Sequence, residues 1–271
     1  MDDLRSGDVN EVGSGATGTV LVCDYVGRRT EAPISSLGLE AYGFTVQYLL
    51  SPPYPRELTA AAYTDALLHR HGPFDGDVRA VLAYCMAAPI GQEVAAAVSS
   101  ADSGVPLVLF DGEPATASSV QQQYLLAADK IGELLSLGHA DRAPSALKPA
   151  MLSERPQEAL RHIHEGLLDL GDRAIRLGDL DAQVVRVEVD MLASYYVDWL
   201  SHLIAAYNAS WSPWHGPAVQ IVSREHTCAD EWPGASSTDV IRVPTTRQEL
   251  LRHPDVAPIV LSILNEERSR V

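Results

Sequence analysis

The residues Leu82-Ala83-Tyr84-Cys85-Met86-Ala87-Ala88 close an apolar run that begins at Val78 and lead into Glu93-Val94-Ala95-Ala96-Ala97-Val98, which reads as a helix. A thiol set between strand and helix, with small residues on either side, has the outline of a nucleophile elbow. The tight turn lifts the middle side chain at the strand's carboxyl end, beside the free N–H groups of the helix amino terminus. Ala83 and Ala87 stand where such turns usually carry glycine, and Cys85 where serine is commoner. A thiol of pKa about 8.5 needs less help than a hydroxyl to become a nucleophile. The bland alternative is a cysteine acting as a small buried hydrophobe.

An elbow requires strands that alternate with helices. The apolar strand Thr19-Val20-Leu21-Val22-Cys23 is followed by a second β-type run over 44–50, which Pro52, Pro53 and Pro55 stop. Alanines and leucines at helical spacing over 57–71, then the turn Gly72-Pro73-Phe74-Asp75-Gly76, lead into the elbow strand, and a further strand spans 105–110. Strands that are apolar along their whole length predict a parallel sheet covered on both faces. From about 115 to 212 the pattern is helix only, over 120–137, 156–170 and 183–208, which predicts an inserted all-helical lid. Strands at 218–222 and 239–243 and a helix over 255–268 close the chain. The expected fold class is therefore α/β, a mostly parallel sheet with helices on both faces and an inserted helical lid. Residues 19–271 read as one domain behind a flexible leader, 1–18. Gly13, Gly15 and Gly18 formally fit a dinucleotide fingerprint, but they precede a strand where the fingerprint must follow one.

The 271 residues carry 36 acidic against 20 basic side chains, a formal charge of −16. A nucleic-acid partner is excluded on that balance, since neutralising phosphates takes clustered Lys and Arg; the acidity favours cationic partners or simply solubility. No apolar run reaches the roughly 20 residues that cross a bilayer, and the first residues lack the character of a signal peptide, so the reading is no membrane and a cytoplasmic location. Cys23, Cys85 and Cys228 are too few and scattered for a disulfide framework or a zinc site, and no metal is expected. The pairs His162/His164 and His69/His71 lie two apart on predicted helices and point in different directions.

Three segments resemble the thioesterase family of the α/β-hydrolases, the domains that release chains from polyketide synthases and nonribosomal peptide synthetases. These are the elbow with its preceding Tyr84, the strand Leu107-Val108-Leu109-Phe110-Asp111-Gly112-Glu113-Pro114, and Trp232-Pro233 through Val240-Ile241-Arg242-Val243-Pro244. The resemblance implies that Cys85 is the nucleophile and Asp111 the acid of a triad. It also implies that the backbone N–H of Met86 and one near Tyr25 or Val26 hold the oxyanion. Where the family carries its histidine this chain has Arg247, which cannot serve as a base because its pKa exceeds about 12. The expectation is that Arg247 pairs with Asp111 and, with the helix terminus, favours a Cys85 thiolate. His226, on a loop after the strand 218–222, is the candidate to complete the triad. Tyr84, Tyr195, Tyr196 and Trp199 are candidates to contact substrate, though aromatics at helical spacing more often pack a core.

The resemblance further implies an atypical thioesterase or acyltransferase in polyketide or nonribosomal peptide biosynthesis. It would take an acyl chain from an acyl or peptidyl carrier protein onto Cys85 and release it to an amine, hydroxyl or water. No bound cofactor is expected; the small-molecule acyl substrate would arrive on the phosphopantetheine of the carrier. A homodimer is left open. The rival reading is a catalytically inactive thioesterase-like domain that binds a carrier protein or biosynthetic partner, and a plain esterase ranks last.

Overall fold

The computed structural model describes residues 18–25, 29–74, 78–100, 104–178, 181–211 and 213–266. Most of the leader expected at 1–18, and Val26, lie outside them. Six strands form one sheet: β1 (Thr19–Cys23), β2 (Thr45–Tyr48), β3 (Val78–Tyr84), β4 (Leu107–Phe110), β5 (Pro217–Val222) and β6 (Ser237–Arg242), in the order β2-β1-β3-β4-β5-β6. Every neighbouring pair is parallel.

The two-residue period of a strand sends alternate side chains to two different cores. Leu21 and Cys23 of β1, Val81 and Ala83 of β3, and Leu107 and Leu109 of β4 pack with Tyr63 and Leu67 of α1 (Ala60–His71) and with Ile90 and Val94 of α2 (Ala88–Val98). Val20, Val22, Leu82, Tyr84, Val108 and Phe110 face the other way, onto Leu250, Leu251 and α7 (Val256–Glu266). Burial on both faces is why these strands carry apolar residues without alternation. Gly91 sets how closely α2 lies on the sheet: a Cβ there would stand 2.7 Å from the Ala83 Cβ. That close approach fixes the helix that begins beside the elbow.

Between β4 and β5 the chain is helical: α3 (Ala117–Leu134), α4 (Pro149–Glu154), α5 (Pro156–Leu177) and α6 (Ala182–Tyr207). These helices have their own core, built from Tyr124, Ile131, Ile163, Leu167, Leu170, Val189, Val197 and Leu200 among others. Thr116 and Ser119 cap α3 reciprocally, each side chain accepting from the other residue's backbone N–H at 3.1 and 2.7 Å. Asp181 caps α6, accepting from the N–H of Gln183 and Val184. Among the described residues no helix is long and apolar enough to cross a membrane.

Candidate active site

The carboxyl ends of β1 and β3 and the turn after β6 converge on one cavity of about 350 Å³. Its wall is formed by Asp24, Tyr25 and Arg29 after β1, by Tyr84, Cys85, Met86 and Ala87 at the elbow, by Gln123 and Trp199 from the helical segment, and by Arg247. Crevices at the carboxyl ends of parallel strands are where such sheets bind ligands.

Cys85 sits at φ 54°, a left-handed conformation that costs a non-glycine residue energy and is typical of a turn that presents one side chain. A single 3₁₀ turn over Cys85–Ala87 joins β3 to α2. Ala83 and Ala87 are buried, so the small residues flanking the turn are demanded by packing. The thiol donates to Glu113 Oε1 at 3.0 Å and accepts from Arg247 Nη2 at 2.6 Å. Arg247 Nη2 also reaches Glu113 Oε1 at 3.3 Å, and its Nε lies 3.4 Å from the Tyr84 hydroxyl and 3.8 Å from Glu31. The Glu113 N–H donates to the Cys85 carbonyl at 3.3 Å, which ties the loop after β4 to the elbow.

Burial pushes the Cys85 thiol up to about 12, and the charge and hydrogen bond of Glu113 add to that; Arg247 and the Met86 N–H oppose it. These surroundings work against the expected ready thiolate, because desolvation and a facing carboxylate raise the thiol more than one guanidinium lowers it.

The expected pairing of Asp111 with Arg247 is also corrected. Asp111 lies at φ 44° just past β4, fully buried, and accepts from the Ser223 N–H at 2.7 Å and the Ser223 hydroxyl at 2.9 Å. Arg247 reaches Glu113 and Cys85 instead. His226 places Nδ1 3.9 Å from Asp111 and Nε2 3.2 Å from the Gly112 carbonyl. It thus lies beside Asp111, and neither His226 nor Glu113 is part of the wall that lines the cavity at Cys85.

The wall beside the thiol is held by hydrogen bonds and ring contacts. Asp24 takes both carboxylate oxygens to Arg29 Nη2 at 2.7 and 2.8 Å and accepts from the Ile34 N–H at 2.7 Å. Burial raises the Asp24 carboxyl, while Arg29 and that N–H lower it. The Arg29 guanidinium lies 3.5 Å over the Tyr84 ring, a cation–π contact. Tyr25 stacks on Tyr54 at 4.3 Å and meets Trp199 edge-on at 4.7 Å, and Trp199 Nε1 donates to Gln123 at 3.2 Å. Of the aromatic residues expected to contact substrate, Tyr84 and Trp199 line the cavity. Tyr195 and Tyr196 pack edge-on against each other on α6 and are not part of that wall: Tyr195 is exposed, and Tyr196 packs half-buried against the core of the helical segment. Met86 and Tyr25, expected at the oxyanion, both border the cavity.

Glu113, Asp24, Arg29 and Glu31 were not singled out by their sequence. Glu113 carried a usable signal, a charged residue between Gly112 and Pro114 in a loop at the carboxyl edge of the sheet, two positions past an acid already of interest. For Asp24 and Arg29 no local pattern announces that a surface-type pair is folded under a tyrosine.

No family model and no curated protein sequence matches the chain. Among solved structures the chain is similar to a four-domain nonribosomal peptide synthetase with bound AMP and glycine, at TM-score 0.50 and 12% identity over 92% of this chain and 19% of that one. The chain thus spans about a fifth of the synthetase. It is also similar to the Vlm2 thioesterase domain bound with a dodecadepsipeptide (TM-score 0.48, 12% identity, 93% of this chain and 95% of that one). A Bacillus megaterium epoxide hydrolase in complex with an inhibitor matches at TM-score 0.44 and 13% identity, over 91% and 93% of the two chains. The fold is that of the α/β-hydrolases.

Proposed function

We propose that this α/β-hydrolase scaffold processes acyl chains, accepting them from a carrier-bound thioester onto Cys85 and passing them to an acceptor. The observation that carries the reading is the Cys85 elbow, a strained residue that opens its sulfur onto a cavity of about 350 Å³ beside the Met86 backbone. A volume of this size suits a small-molecule acyl group. In thiol exchange the Cys85 sulfur bonds to the thioester carbon, the carbon–sulfur bond to pantetheine breaks, and the cysteine's proton ends on the departing pantetheine sulfur. Developing negative charge on the carbonyl oxygen would be met by the Met86 N–H and a backbone donor near Tyr25. An amine, hydroxyl or water then takes the acyl group, returning a proton to sulfur. The likeness to solved thioesterase domains supports the scaffold only; the carrier and its phosphopantetheine belong to this proposal.

One observation favours a second reading, a domain that binds carrier or partner without turnover: the thiol's side-chain partners among the described residues are Glu113 and Arg247, with no imidazole between them, and burial raises its pKa. A single experiment separates them. Incubation with an acyl-pantetheine thioester, followed by intact mass and peptide mapping, is expected to show one acyl group on Cys85, lost in Cys85→Ala. An unlabelled wild-type protein that releases no pantetheine thiol refutes the catalytic reading.

A further inference from the structure

We infer that Glu113 is the catalytic base of this site, taking over at the sulfur the proton transfer that an imidazole performs in a Cys-His-Asp arrangement. The inference rests on the acyl-transfer reading above and goes beyond it by assigning the proton's path.

Four contacts define the cluster. The Cys85 thiol points its donor at Glu113 Oε1 at 3.0 Å, the direction in which the proton must leave. Arg247 Nη2 stands 2.6 Å from the sulfur and 3.3 Å from the same carboxylate oxygen. The backbone bond from the Glu113 N–H to the Cys85 carbonyl, 3.3 Å, fixes the base relative to the nucleophile without relying on its side chain. Among the described residues the other carboxylates nearby are engaged elsewhere: Asp111 spends its oxygens on Ser223, Asp24 spends its own on Arg29 and Ile34, and Glu31, which lines the cavity, lies 3.8 Å from Arg247 Nε on the far end of that guanidinium from the sulfur contact.

The arrangement answers the problem that burial poses. Ionising the thiol alone would create a charge in a desolvated place, which is costly. Moving the proton to Glu113 creates no net charge. The negative charge passes from Oε1 to Sγ while Arg247 stays within reach of both, so the cation stabilises the pair before and after transfer. Glu113 is about two-fifths exposed and so stays open to an incoming acceptor.

The steps balance. Glu113 accepts the thiol proton as the Cys85 sulfur bonds to the acyl carbon, then gives it to the pantetheine sulfur as that bond breaks. In the second half Glu113 takes a proton from the attacking amine, hydroxyl or water, and returns it to Sγ as the acyl–sulfur bond breaks. No oxidant or reductant enters.

The test follows acylation of the full chain by acyl-pantetheine, read as mass gain at Cys85 and release of pantetheine thiol, from about pH 6 to about pH 9. Wild type is expected to give a nearly flat rate over that range. Glu113→Gln is expected to be slowed about 100-fold or more at neutral pH and to climb about tenfold per pH unit, because only spontaneous ionisation then supplies the thiolate. Glu113→Asp, one methylene short, is expected between the two, and it serves if Glu113→Gln does not give the wild-type circular dichroism spectrum. A Glu113→Gln rate and pH profile matching wild type overturns the inference while leaving Cys85 acylation intact. Loss of the flat profile on His226→Gln, with Glu113→Gln unaffected, overturns it in favour of the imidazole. A wild-type protein that neither carries label on Cys85 nor releases pantetheine thiol overturns both readings together.

Discussion

His202 offers the sharpest measure of how tightly the cavity wall is built. Its ring, on α6, is fully buried between Trp199 (5.5 Å), Tyr25 (5.3 Å) and Tyr63 (5.4 Å), and neither nitrogen has a hydrogen-bond partner among the described residues. Burial lowers its pKa from 6.5 to about 3. The folded protein therefore refuses a proton that the unfolded chain accepts below about pH 6.5. Stability from this group is complete above that pH and is lost as pH falls, by about 1.4 kcal/mol per unit, until the folded value near 3 is reached. Between pH 7 and pH 5 the loss comes to about 2 kcal/mol, and the whole window is worth about 5 kcal/mol. The perturbation is His202→Phe, which keeps an aromatic ring among aromatic neighbours and removes the titration. At pH 7 the variant is expected to be about 1 to 3 kcal/mol more stable, since two unsatisfied buried nitrogens disappear. Urea unfolding of both proteins at pH 7 and pH 5 supplies the numbers, and every other histidine cancels in the comparison. Equal pH dependence in wild type and His202→Phe would refute the reasoning.

Two further outcomes follow from the same packing. Asp24→Asn leaves the buried Arg29 guanidinium without its carboxylate beneath Tyr84, and chemical denaturation is expected to show a loss of about 3 kcal/mol, against no measurable change for Lys130→Gln in the exposed pair with Glu133. Gly91→Val must push α2 away from Ala83, so a cost of about 1 to 3 kcal/mol in thermal unfolding, with slower acylation of Cys85, is expected.

Much of the frame was legible in the chain. Uninterrupted apolar strands such as Val78–Tyr84 and Leu107–Phe110 announced a sheet buried on both faces, and alanines on either side of Cys85 announced the turn. Both are local signals, because strand burial and turn sterics act on neighbouring residues. Element ends moved by a few positions: the helix expected over 156–170 runs to Leu177, and the strand expected from Ala218 begins at Pro217. The short helix Pro149–Glu154 and the 3₁₀ turn Arg247–Arg252 were not anticipated, being held by tertiary contacts such as those of Leu152, Leu250 and Leu251.

The partners of the charged groups were another matter. The turn around Cys85 was readable from its own residues, while Asp111 and Arg247 were placed on the same edge of the sheet only by the resemblance. Which of them touch depends on the angles at which separate loops return, and those are set by packing far along the chain. Folding gave Arg247 to Glu113 and the thiol, gave Asp111 to Ser223, and buried the sulfur so that its pKa rises. The acidity of a side chain is a property of its surroundings, and residues 28, 134 and 162 positions apart make those surroundings only once the chain has closed on itself.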